Sequence, residues 1–384
     1  MKILHLANTY GEEKGGGVHE VVSNVSKYQK IMNHDPQVWF PGNDSDITPY
    51  KEDKNIKNLP TLGKPEYGIV KGLYQKISDE VYSFDIIHQH GIWMPISVFN
   101  KKIRKISGLN AVIQPHGYLE PYRLNLSKYK KKVVFQLFEK SNLESASAII
   151  ACGENEAIKL KKMFPNKDVA IIHNGIPDDF IAHPNMRNRN TNGKKRLLFL
   201  SQIIPVKGLE RLFHVVSDMD KNKIKNIEIL IAGYGEEKYI NILKNLVVEL
   251  HLHSIVKFVG RKHGQEKYDI IDNSDIFILP TFSENYGIVV AEALSRGLPV
   301  ITTKGTPWEE LDIRNCGFCV ENSENGIRDG LERILDLSQK ELQVMGQNGK
   351  QLIKEKYLWS KTTVPTIELY EWVINGGQKP GFII

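Results

Sequence analysis

Residues 275–303, DIFILPTFSENYGIVVAEALSRGLPVITT, read as a strand, a loop, a helix and a second strand. The apolar runs at both ends are continuous in Ile, Val, Leu and Phe, which is typical of parallel strands buried on both faces. Parallel neighbours need a long crossover, and the segment between the runs can supply one as a helix. Glu284 lies in the loop, whereas Glu292 lies among apolar residues of the predicted helix. The stretch therefore predicts an α/β fold and raises the question of what two carboxylates do there.

The same alternation of apolar runs and helical patterns extends along the whole chain. It is interrupted at 183–196, where a polar segment rich in Asn and Arg has no apolar periodicity and is typical of a linker. We therefore predict two Rossmann-like α/β domains, residues 1–183 and 184–361, followed by a last helix within 362–384. Ligands of open parallel sheets bind beyond the carboxyl ends of the strands, so the loops after the strands are where chemistry is expected. The strand-like runs lie at 2–8, 37–40, 85–90, 111–117, 147–153, 169–175, 196–202, 227–235, 255–260, 275–280 and 299–303.

The bulk composition limits the class of protein. A chain of 384 residues is too long for one ordinary core, and 41% hydrophobic with 25% charged residues is typical of a soluble globular protein. No apolar run approaches the ~18 residues of a membrane span, and the first ten residues read as a strand instead of a signal peptide, so we expect a cytoplasmic location. Cys316 and Cys319 form a CxxC without the second ligand pair that zinc requires. We expect both cysteines to be buried and the protein to bind no metal.

The positive charge is concentrated in one segment. Residues 101–150 hold ten Lys/Arg against three Asp/Glu, whereas the whole chain has a net charge of +6. The helix predicted there mixes basic and apolar residues, a pattern that fits an anionic membrane surface. The residues are Lys128, Lys130, Lys131 and Lys132 with Tyr129, Val133, Val134, Leu137 and Phe138, within the segment 126–140. A core-packed helix with a solvated basic side explains the pattern equally well, and both interpretations stay open. No stacking platform or reading helix accompanies the charge, so we expect no nucleic-acid partner.

Two stretches are predicted to hold an anionic ligand. The first predicted strand is followed by a Gly-rich loop, in which Gly16 and Gly17 allow a ligand to approach the backbone closely. GxGxxG is absent, so this is not the dinucleotide fingerprint, and a merely flexible loop is the alternative.

In the second stretch the predicted helix begins near Tyr286 and Gly287. The backbone N–H groups at its start can hold a pyrophosphate without a metal, and the residues assigned to this donor site are Asn285, Tyr286, Gly287, Ile288 and Val289.

The two carboxylates of the opening stretch flank that helix start. Glu292 shares a helical face with Ile288, and a carboxylate so near an apolar core is costly unless a partner satisfies it. The paired hydroxyls of a ribose would suit it, whereas Glu284 would lie on the other side of the phosphates, where a sugar would sit. Lys207, between a strand and a helix in LSQIIPVKG, is placed to neutralise the diphosphate. Two surface glutamates are the alternative interpretation.

Histidines and aromatic residues end two strands of the first domain. His116 follows the run AVIQP and is predicted to reach the ligand, although a structural role stays open. His88 and His90 share one strand face at a spacing that suits a metal, but no carboxylate accompanies them. We assign His90, Trp93 and Tyr118 to the acceptor side of the site.

The E-x7-E block, with Gly287 and the following EALSRGLPVI, resembles the signature of retaining glycosyltransferase family 4. The segments HNGIP (173–177), PVKG (205–208), IAGYGEE (231–237) and FVGR (258–261) occur in the family's order. The resemblance covers nearly the whole chain, and the Pro-His-Gly segment at His116 is similar to that of family members that build bacterial surface polysaccharides. It implies a GT-B fold, in which two Rossmann-like domains face an interdomain cleft and the C-terminal helix returns to the N-terminal domain.

The resemblance also implies roles for individual residues. Glu284 would face the donor sugar near its anomeric carbon, Glu292 would bind the ribose, and His116 would contact the sugar and phosphate. Arg261 lies where the family's nucleotide-base loop lies. Gln202 stands where the family has an arginine that helps to hold the leaving phosphate, and it carries no charge. The replacement charge would come from Arg211, Arg261 or Lys262.

The expected function is that of a hexosyltransferase that acts with retention, by front-face attack, without a metal or other cofactor. The donor would be a UDP- or GDP-sugar, and the acceptor a hydroxyl of a glycan or of an undecaprenyl-linked oligosaccharide, in O-antigen or capsule assembly. The location would be cytoplasmic, peripheral at the inner face of the plasma membrane. A nucleotide-sugar epimerase of the same fold and a donor-binding scaffold with weak activity are the alternatives, and Gln202 is the feature that supports the scaffold.

Overall fold

The computed structural model describes residues 1–8, 10–42, 53–59, 61–62, 69–70, 80–93, 95–125, 128–182 and 193–384. The chain forms two compact units: unit 1 comprises Met1–Gly175 with Trp359–Ile384, and unit 2 comprises Ile176–Leu358. Residues 183–192 of the predicted linker, and residues 126 and 127 of the basic segment, lie outside the described part of the chain. Among the described residues, no helix has the length and apolar character needed to cross a membrane.

Unit 1 is built on a seven-stranded parallel sheet in the order β3-β2-β1-β6-β7-β8-β9, and a short antiparallel pair, β4-β5, lies outside it. The continuous apolar runs of the sequence form its central strands, as predicted. The strands are β1 Lys2–Ala7, β2 Asp35–Pro41, β3 Ile56–Leu59, β4 Thr61–Leu62, β5 Ile69–Val70, β6 Ile86–His90, β7 Asn110–Gln114, β8 Ala148–Ala151 and β9 Val169–Ile171.

The described helices of unit 1 include one from the C-terminal end of the chain. Its residues Ile367, Leu369 and Tyr370 pack in the same core cluster as Ile3 and Val112 of the sheet, so the last helix completes unit 1. The helices are α1 Glu12–Ile31, α2 Pro95–Ser107, α3 Pro121–Asn125, α4 Lys128–Val134, a π-helical turn Phe135–Glu139, α5 Lys140–Glu144, α6 Glu154–Met163 and the C-terminal Trp359–Asn375.

Unit 2 is built on a six-stranded parallel sheet in the order β12-β11-β10-β13-β14-β15. Its strands are β10 Lys195–Leu200, β11 Ile227–Ala232, β12 Val256–Gly260, β13 Ile276–Leu279, β14 Val300–Thr303 and β15 Gly317–Val320. Its helices are α7 Asp178–Ala182, α8 Leu209–Ser217, α9 Lys221–Ile224, α10 Glu237–Glu249, α11 Gly264–Asp272, α12 Ile288–Ser295, α13 Glu310–Ile313, α14 Glu324–Asp336 and α15 Gln339–Lys356, with a 3₁₀ turn at Pro205–Lys207.

Two predicted helices differ from the structure, one in where it begins and one in being interrupted. The Gly-rich segment lies inside α1 instead of before it, because the helix begins at Glu12 and is interrupted at Gly16, whose φ of 49° and ψ of −138° are not helical. Glycine tolerates this conformation without the steric cost of a Cβ, so the segment forms a kink. The basic helix predicted from residue 128 to 143 is broken by the π-helical turn at Phe135–Glu139.

The strand order of unit 2 brings two loops side by side. β10 pairs with β13 in parallel, Leu197 opposite Ile276, so the loops after their carboxyl ends are neighbours. These are the loops that hold Lys207 and Glu284. The CxxC cysteines are buried, as predicted, and burial raises the pKa of the Cys316 thiol to about 12.

Candidate active site

Arg211 holds the loop after β13 in place. Its Nε and Nη2 donate to the carbonyl oxygen of Pro280 at 3.0 and 2.6 Å, and Nη2 also donates to the carbonyl oxygen of Thr281 at 2.9 Å. The guanidinium lies 3.9 Å from the centre of the Phe282 ring. Burial lowers the pKa of Arg211 to about 10, which leaves it charged at neutral pH. Since these backbone contacts engage Arg211, its role in the structure is to shape the loop.

The turn after β10 is fastened to the same loop. The Thr281 hydroxyl and the Phe282 N–H donate to the carbonyl oxygen of Val206 at 2.9 and 2.8 Å. Gly208 has a φ of 72°, and a Cβ there would lie 2.1 Å from the Pro280 carbonyl oxygen, so only glycine allows this approach. The two loops are therefore locked together at their backbones.

Lys207 and Glu284 form an ion pair as a consequence of that locking. Their side chains are 12% and 18% exposed, so the pair is largely buried but still accessible to solvent. The Glu284 N–H donates to the carbonyl oxygen of Gly305 at 2.8 Å, which fixes the glutamate backbone. The structure thus brings together two of the three predicted catalytic residues.

The helix α12 begins beside this pair. Gly287 precedes it with a φ of 75°, and among the described residues no side chain caps the helix start. The first N–H groups of a helix lack partners within the helix, so those at Gly287, Ile288 and Val289 carry a partial positive charge. The Glu284 Cγ lies 3.1 Å from the position of a Cβ on Gly287, which places the ion pair directly at the helix start.

Tyr286 supports that helix start from inside the core. Its side chain is 3% exposed and packs against Trp308 with ring centres 5.4 Å apart. The Trp308 indole N–H donates to the Tyr286 carbonyl oxygen at 2.6 Å. Trp308 had no distinguishing motif in the sequence. Asn285, the preceding residue, is partly exposed, and its N–H donates to Glu284 Oε1 at 3.3 Å.

Glu292 is buried in α12 and is paired with Lys267 of α11. The side chains are 1% and 22% exposed. A buried carboxylate needs a partner of opposite charge, and Lys267 meets that need within the protein. The argument from burial therefore does not by itself require a ribose at Glu292. Lys267 was missed because a single lysine in a polar helix, 25 positions before its partner, carries no sequence signal.

Gln202 and the cations predicted to compensate for its lack of charge contact different residues. Gln202 is exposed just after β10. The Arg261 guanidinium, after β12, lies 4.6 Å from the centre of the Tyr234 ring, which follows β11. Lys262 is 3.5 Å from Glu266 in an ion pair. Because Arg211 is engaged by backbone carbonyls, Arg261 and Lys262 are the remaining cations of the predicted set.

A line of histidines occupies the corresponding edge of the unit 1 sheet. His5 Nδ1 lies 2.8 Å from His90 Nε2, and His90 Nδ1 lies 3.1 Å from His116 Nε2. Burial lowers the pKa of His5 to about 4 and that of His116 to about 3, and it lowers the pKa of His88 and His90 well below 6.5. His116 has a φ of 54°, so its backbone is strained where it turns after β7.

Within the described residues, His5, His88 and His90 are the group of potential metal ligands that lie close together, with one nitrogen of each within 4.8 Å of the others. Part of this group is engaged in hydrogen bonds: His5 Nδ1 with His90 Nε2 at 2.8 Å, and His88 Nδ1 with the Tyr370 hydroxyl at 2.6 Å. His88 Nε2 is buried and makes no such bond within the described residues.

The loop after β6 is built around Trp93, whose φ is 74°. Its N–H donates to Oε2 of the buried Glu139 at 2.9 Å, and its indole N–H donates to the Tyr118 carbonyl oxygen at 3.1 Å. The predicted acceptor-side residues Trp93 and Tyr118 are thus in direct contact, and His90 ends the preceding strand. Gly16 and Gly17 are exposed at the α1 kink, with open space where a Cβ would lie.

Two Rossmann-like parallel sheets in one chain are the architecture of the GT-B class of glycosyltransferase. Residues 15–180 match the family described as Glycosyltransferase Family 4, and residues 184–352 match the family described as Glycosyl transferases group 1. The two matches together cover most of the chain. The protein therefore belongs to these glycosyltransferases, and the family resemblance seen in the sequence is confirmed.

Known proteins similar to this chain agree with that assignment. An uncharacterized glycosyltransferase of Haemophilus influenzae is 28% identical over 348 residues, which cover 89% of this chain and 92% of the relative. The O-antigen biosynthesis glycosyltransferase WclY of Escherichia coli is 23% identical, with 82% and 84% covered. HepE of Anabaena, solved in complex with UDP, superposes with a TM-score of 0.75 at 16% identity, covering 96% of this chain and 99% of that one.

Proposed function

We propose that this glycosyltransferase moves a sugar from a UDP- or GDP-sugar to a hydroxyl of a glycan or undecaprenyl-linked oligosaccharide, with retention at the anomeric carbon. The observation that carries the proposal is the Lys207–Glu284 pair at the uncapped start of α12. A diphosphate at that position would meet a lysine and helix N–H groups together, which is a metal-free way to stabilise its charge. The UDP bound to HepE supports a uridine donor.

The proposed chemistry is a front-face substitution. The bond from the anomeric carbon to the diphosphate oxygen breaks, the acceptor oxygen bonds to the same face, and the acceptor proton passes to the leaving phosphate. Lys207 and the start of α12 stabilise the departing charge, which requires Lys207 to share its contact with Glu284. Glu284 orients the sugar and stabilises positive charge at the anomeric carbon.

The other proposed donor contacts follow the family resemblance. Glu292 binds the ribose hydroxyls, and the ion pair with Lys267 holds its carboxylate in one orientation. Arg261, which lies over the exposed Tyr234 ring, binds the base. His116 of unit 1 contacts the donor sugar. No metal or other cofactor takes part.

A donor panel tests the central claim. Thermal unfolding of the wild type would be measured with UDP, GDP and their sugars, and one donor should raise the Tm. Glu292→Gln keeps the side-chain volume and should weaken that stabilisation, whereas Glu321→Gln, which removes an exposed carboxylate of unit 2, should not. If no nucleotide or nucleotide sugar raises the Tm of the wild type, the proposal fails.

The reaction class is tested by product release. A transferase releases nucleoside diphosphate from the donor when a lipid-linked acceptor is added. An epimerase instead converts the donor without any acceptor. A scaffold binds donor but shows no turnover with any acceptor, and Gln202→Arg does not restore it.

We further propose that α4 and the π-helical turn dock on an anionic membrane at the cytoplasmic face, where a lipid-linked acceptor would be found. Tyr129, Val133 and Leu137 lie at intervals of four residues and are 84%, 58% and 74% exposed. No residue of α4 (Lys128–Val134) is buried, and its lysines flank the apolar stripe. This arrangement fits an interfacial helix with apolar side chains toward the lipid and lysines at the headgroups.

Vesicle co-sedimentation tests the docking. We expect binding to vesicles that contain phosphatidylglycerol and little binding to pure phosphatidylcholine, with loss of binding at high salt. Leu137→Ser should weaken binding. Ile158→Ser is the matched control, because Ile158 is 63% exposed on α6 of the same unit and outside the stripe. Equal binding of both variants would contradict the docking surface.

A further inference from the structure

A continuous line of hydrogen bonds leads to His116 from α1, which packs against the unit 1 sheet. Gln29 Oε1 on α1 lies 2.7 Å from His5 Nε2 on β1. His5 Nδ1 lies 2.8 Å from His90 Nε2 at the end of β6, and His90 Nδ1 lies 3.1 Å from His116 Nε2. One helix, two strands and the turn after β7 therefore contribute one residue each to a single line.

The histidines of this line are neutral at pH 7. Gln29, His5 and His90 are fully buried, and burial lowers the pKa of His5 to about 4 and that of His116 to about 3. The pKa of His90 is lowered well below 6.5, first by burial and then by the neighbouring histidines. A neutral imidazole has one N–H and one lone pair. Each ring can therefore donate one hydrogen bond and accept one.

The amide oxygen at the start of the line gives the hydrogen bonds their direction. An amide oxygen only accepts, so the proton between Gln29 and His5 belongs to His5 Nε2. His5 Nδ1 is then a lone pair, which requires His90 to donate from Nε2. His90 Nδ1 is a lone pair in turn, so His116 donates from Nε2. The unprotonated nitrogen at the end of the line is His116 Nδ1.

Tyr370 of the C-terminal helix contacts the nitrogen of the same amide. Gln29 Nε2 lies 3.4 Å from the Tyr370 hydroxyl, which lies 2.6 Å from His88 Nδ1. The hydroxyl can donate to His88 and accept from the amide N–H. In the structure the amide nitrogen faces Tyr370 and the amide oxygen faces His5. With the amide reversed, each histidine of the line would carry its proton on Nδ1 instead of Nε2, and His116 Nδ1 would be protonated.

We propose that Gln29, His5 and His90 are positioning residues that hold His116 as the Nε2–H tautomer, so that His116 Nδ1 accepts a hydrogen bond from a hydroxyl of the donor sugar. The tautomer is a property of unit 1 alone. The identity of the hydroxyl donor rests on the proposed function. A lone pair at Nδ1 recognises a hydroxyl and disfavours a phosphate oxygen, which has no proton to donate.

Nuclear magnetic resonance with ¹⁵N-labelled histidine tests the tautomer without any substrate. The nitrogen shifts distinguish a protonated from an unprotonated ring nitrogen, and the His116 signals are assigned as those absent from His116→Gln. At pH 7 we expect His116, His90 and His5 to be protonated at Nε2. A His116 signal protonated at Nδ1, or a mixture of tautomers, would overturn the proposal.

Gln29→Met tests the source of the direction. Methionine keeps the length and volume of the side chain but removes the accepting oxygen, so His116 should become a mixture of tautomers. Gln89→Met is the matched control. Gln89 is also a fully buried amide of unit 1, but it bonds to Ser97, Asn100 and the Gly91 carbonyl instead of the histidines. An unchanged His116 tautomer in Gln29→Met would show that the amide does not set it.

Donor analogues test the hydroxyl. A series in which each sugar hydroxyl in turn is replaced by fluorine should include one that lowers the wild-type kcat/KM by about tenfold, the typical cost of a lost hydrogen bond to a buried group. Gln29→Met should lower kcat/KM for the natural donor but should barely affect that analogue. If Gln29→Met lowered kcat/KM equally for every donor, the role of Gln29 would be structural only. If the tautomer is as expected and no nucleotide sugar binds at all, the proposed function fails while the assignment of the tautomer stands.

Discussion

The carboxyl edges of the two sheets carry polar side chains of different kinds. In unit 1 a cluster of histidines is neutral: His5, His90 and His116 are linked to one another and to Gln29 by hydrogen bonds. In unit 2 the shielded groups are ion pairs, Lys207 with Glu284 and Lys267 with Glu292. The same sheet architecture therefore supports one edge that is organised by the direction of hydrogen bonds and another that is organised by charge.

The difference predicts what each unit is sensitive to. Breaking one member of a buried ion pair leaves a charge without compensation in an apolar environment, so unit 2 should respond strongly to charge-removing substitutions. Buried neutral histidines must stay neutral in the native state, so unit 1 should respond to acidification. The following experiments separate these two kinds of edge, beginning with the largest expected effect.

Lys207→Gln should lower kcat by about 10²- to 10³-fold, because it removes a cation aimed at the departing diphosphate. The measurement is steady-state turnover of the best donor identified by thermal shift. Lys304→Gln is the control, since Lys304 directly follows β14 of the same sheet and forms an exposed pair with Glu321. Similar losses in both variants would show that overall positive charge, and not the Lys207 contact, matters.

Lys267→Met should destabilise unit 2 by about 3 kcal/mol, because it leaves the Glu292 carboxylate buried without its lysine. In a unit of this size that loss corresponds to a fall in Tm of about 6–12 °C. Lys223→Met is the control: Lys223 pairs with Asp336 at the surface, where such pairs contribute roughly 0–1 kcal/mol. A fall in Tm no larger than that of the control would mean that Glu292 does not depend on Lys267.

Acidification from pH 7 to 5.5 should destabilise unit 1 more than unit 2. The unfolded chain gains protons on its histidines near pH 6.5, whereas native His5 gains one only near its lowered pKa of about 4, so the unfolded state binds more protons and stability falls as pH falls. The expected loss is roughly 1 kcal/mol for each buried histidine over this interval.

Tryptophan fluorescence can follow that loss, because four of the five tryptophans lie in unit 1, namely Trp39, Trp93, Trp359 and Trp372. A unit 1 stability that is flat between pH 7 and 5.5 would show that the histidine line already binds protons in the native state.

Gln202→Arg should have the smallest effect. It adds a cation on an exposed residue after β10, where the family has an arginine, and we expect the donor Kd to fall a few-fold, up to about tenfold. Isothermal titration with the nucleoside diphosphate measures the change. Tighter binding that disappears at high salt would indicate nonspecific attraction instead of a phosphate contact.

The parts of the molecule that follow from local pattern could be predicted from the sequence. The βαβ unit at 275–303 was found because buried strands and crossover helices leave a clear apolar signature, and Lys207, Glu284 and Gly287 were placed by their position after strands. The family resemblance supplied the GT-B fold. These predictions depend on residues that lie close together in sequence.

The features that the sequence did not reveal depend on contacts between distant segments. Lys267 pairs with Glu292 across two elements, and Gln29 reaches His5 because α1 packs on β1. Arg211 looked like a candidate phosphate ligand until the structure showed its contacts with the Pro280 carbonyl. The charge of a side chain can be read from a sequence, but the atom with which that side chain pairs cannot. The kink at Gly16 was missed because glycines permit loops and kinks alike.

The return of the C-terminal helix to unit 1 has a consequence for biosynthesis. Residues 359–384 contribute Tyr370 to the histidine cluster and pair backbone groups of Ile384 with Val169, so unit 1 is incomplete until they have left the ribosome. Unit 2 is continuous in sequence and emerges before them. We therefore expect unit 2 to reach its native state first during translation. Until the C-terminal helix is synthesised, one face of the unit 1 sheet stays uncovered, and chaperones can bind that face on the nascent chain.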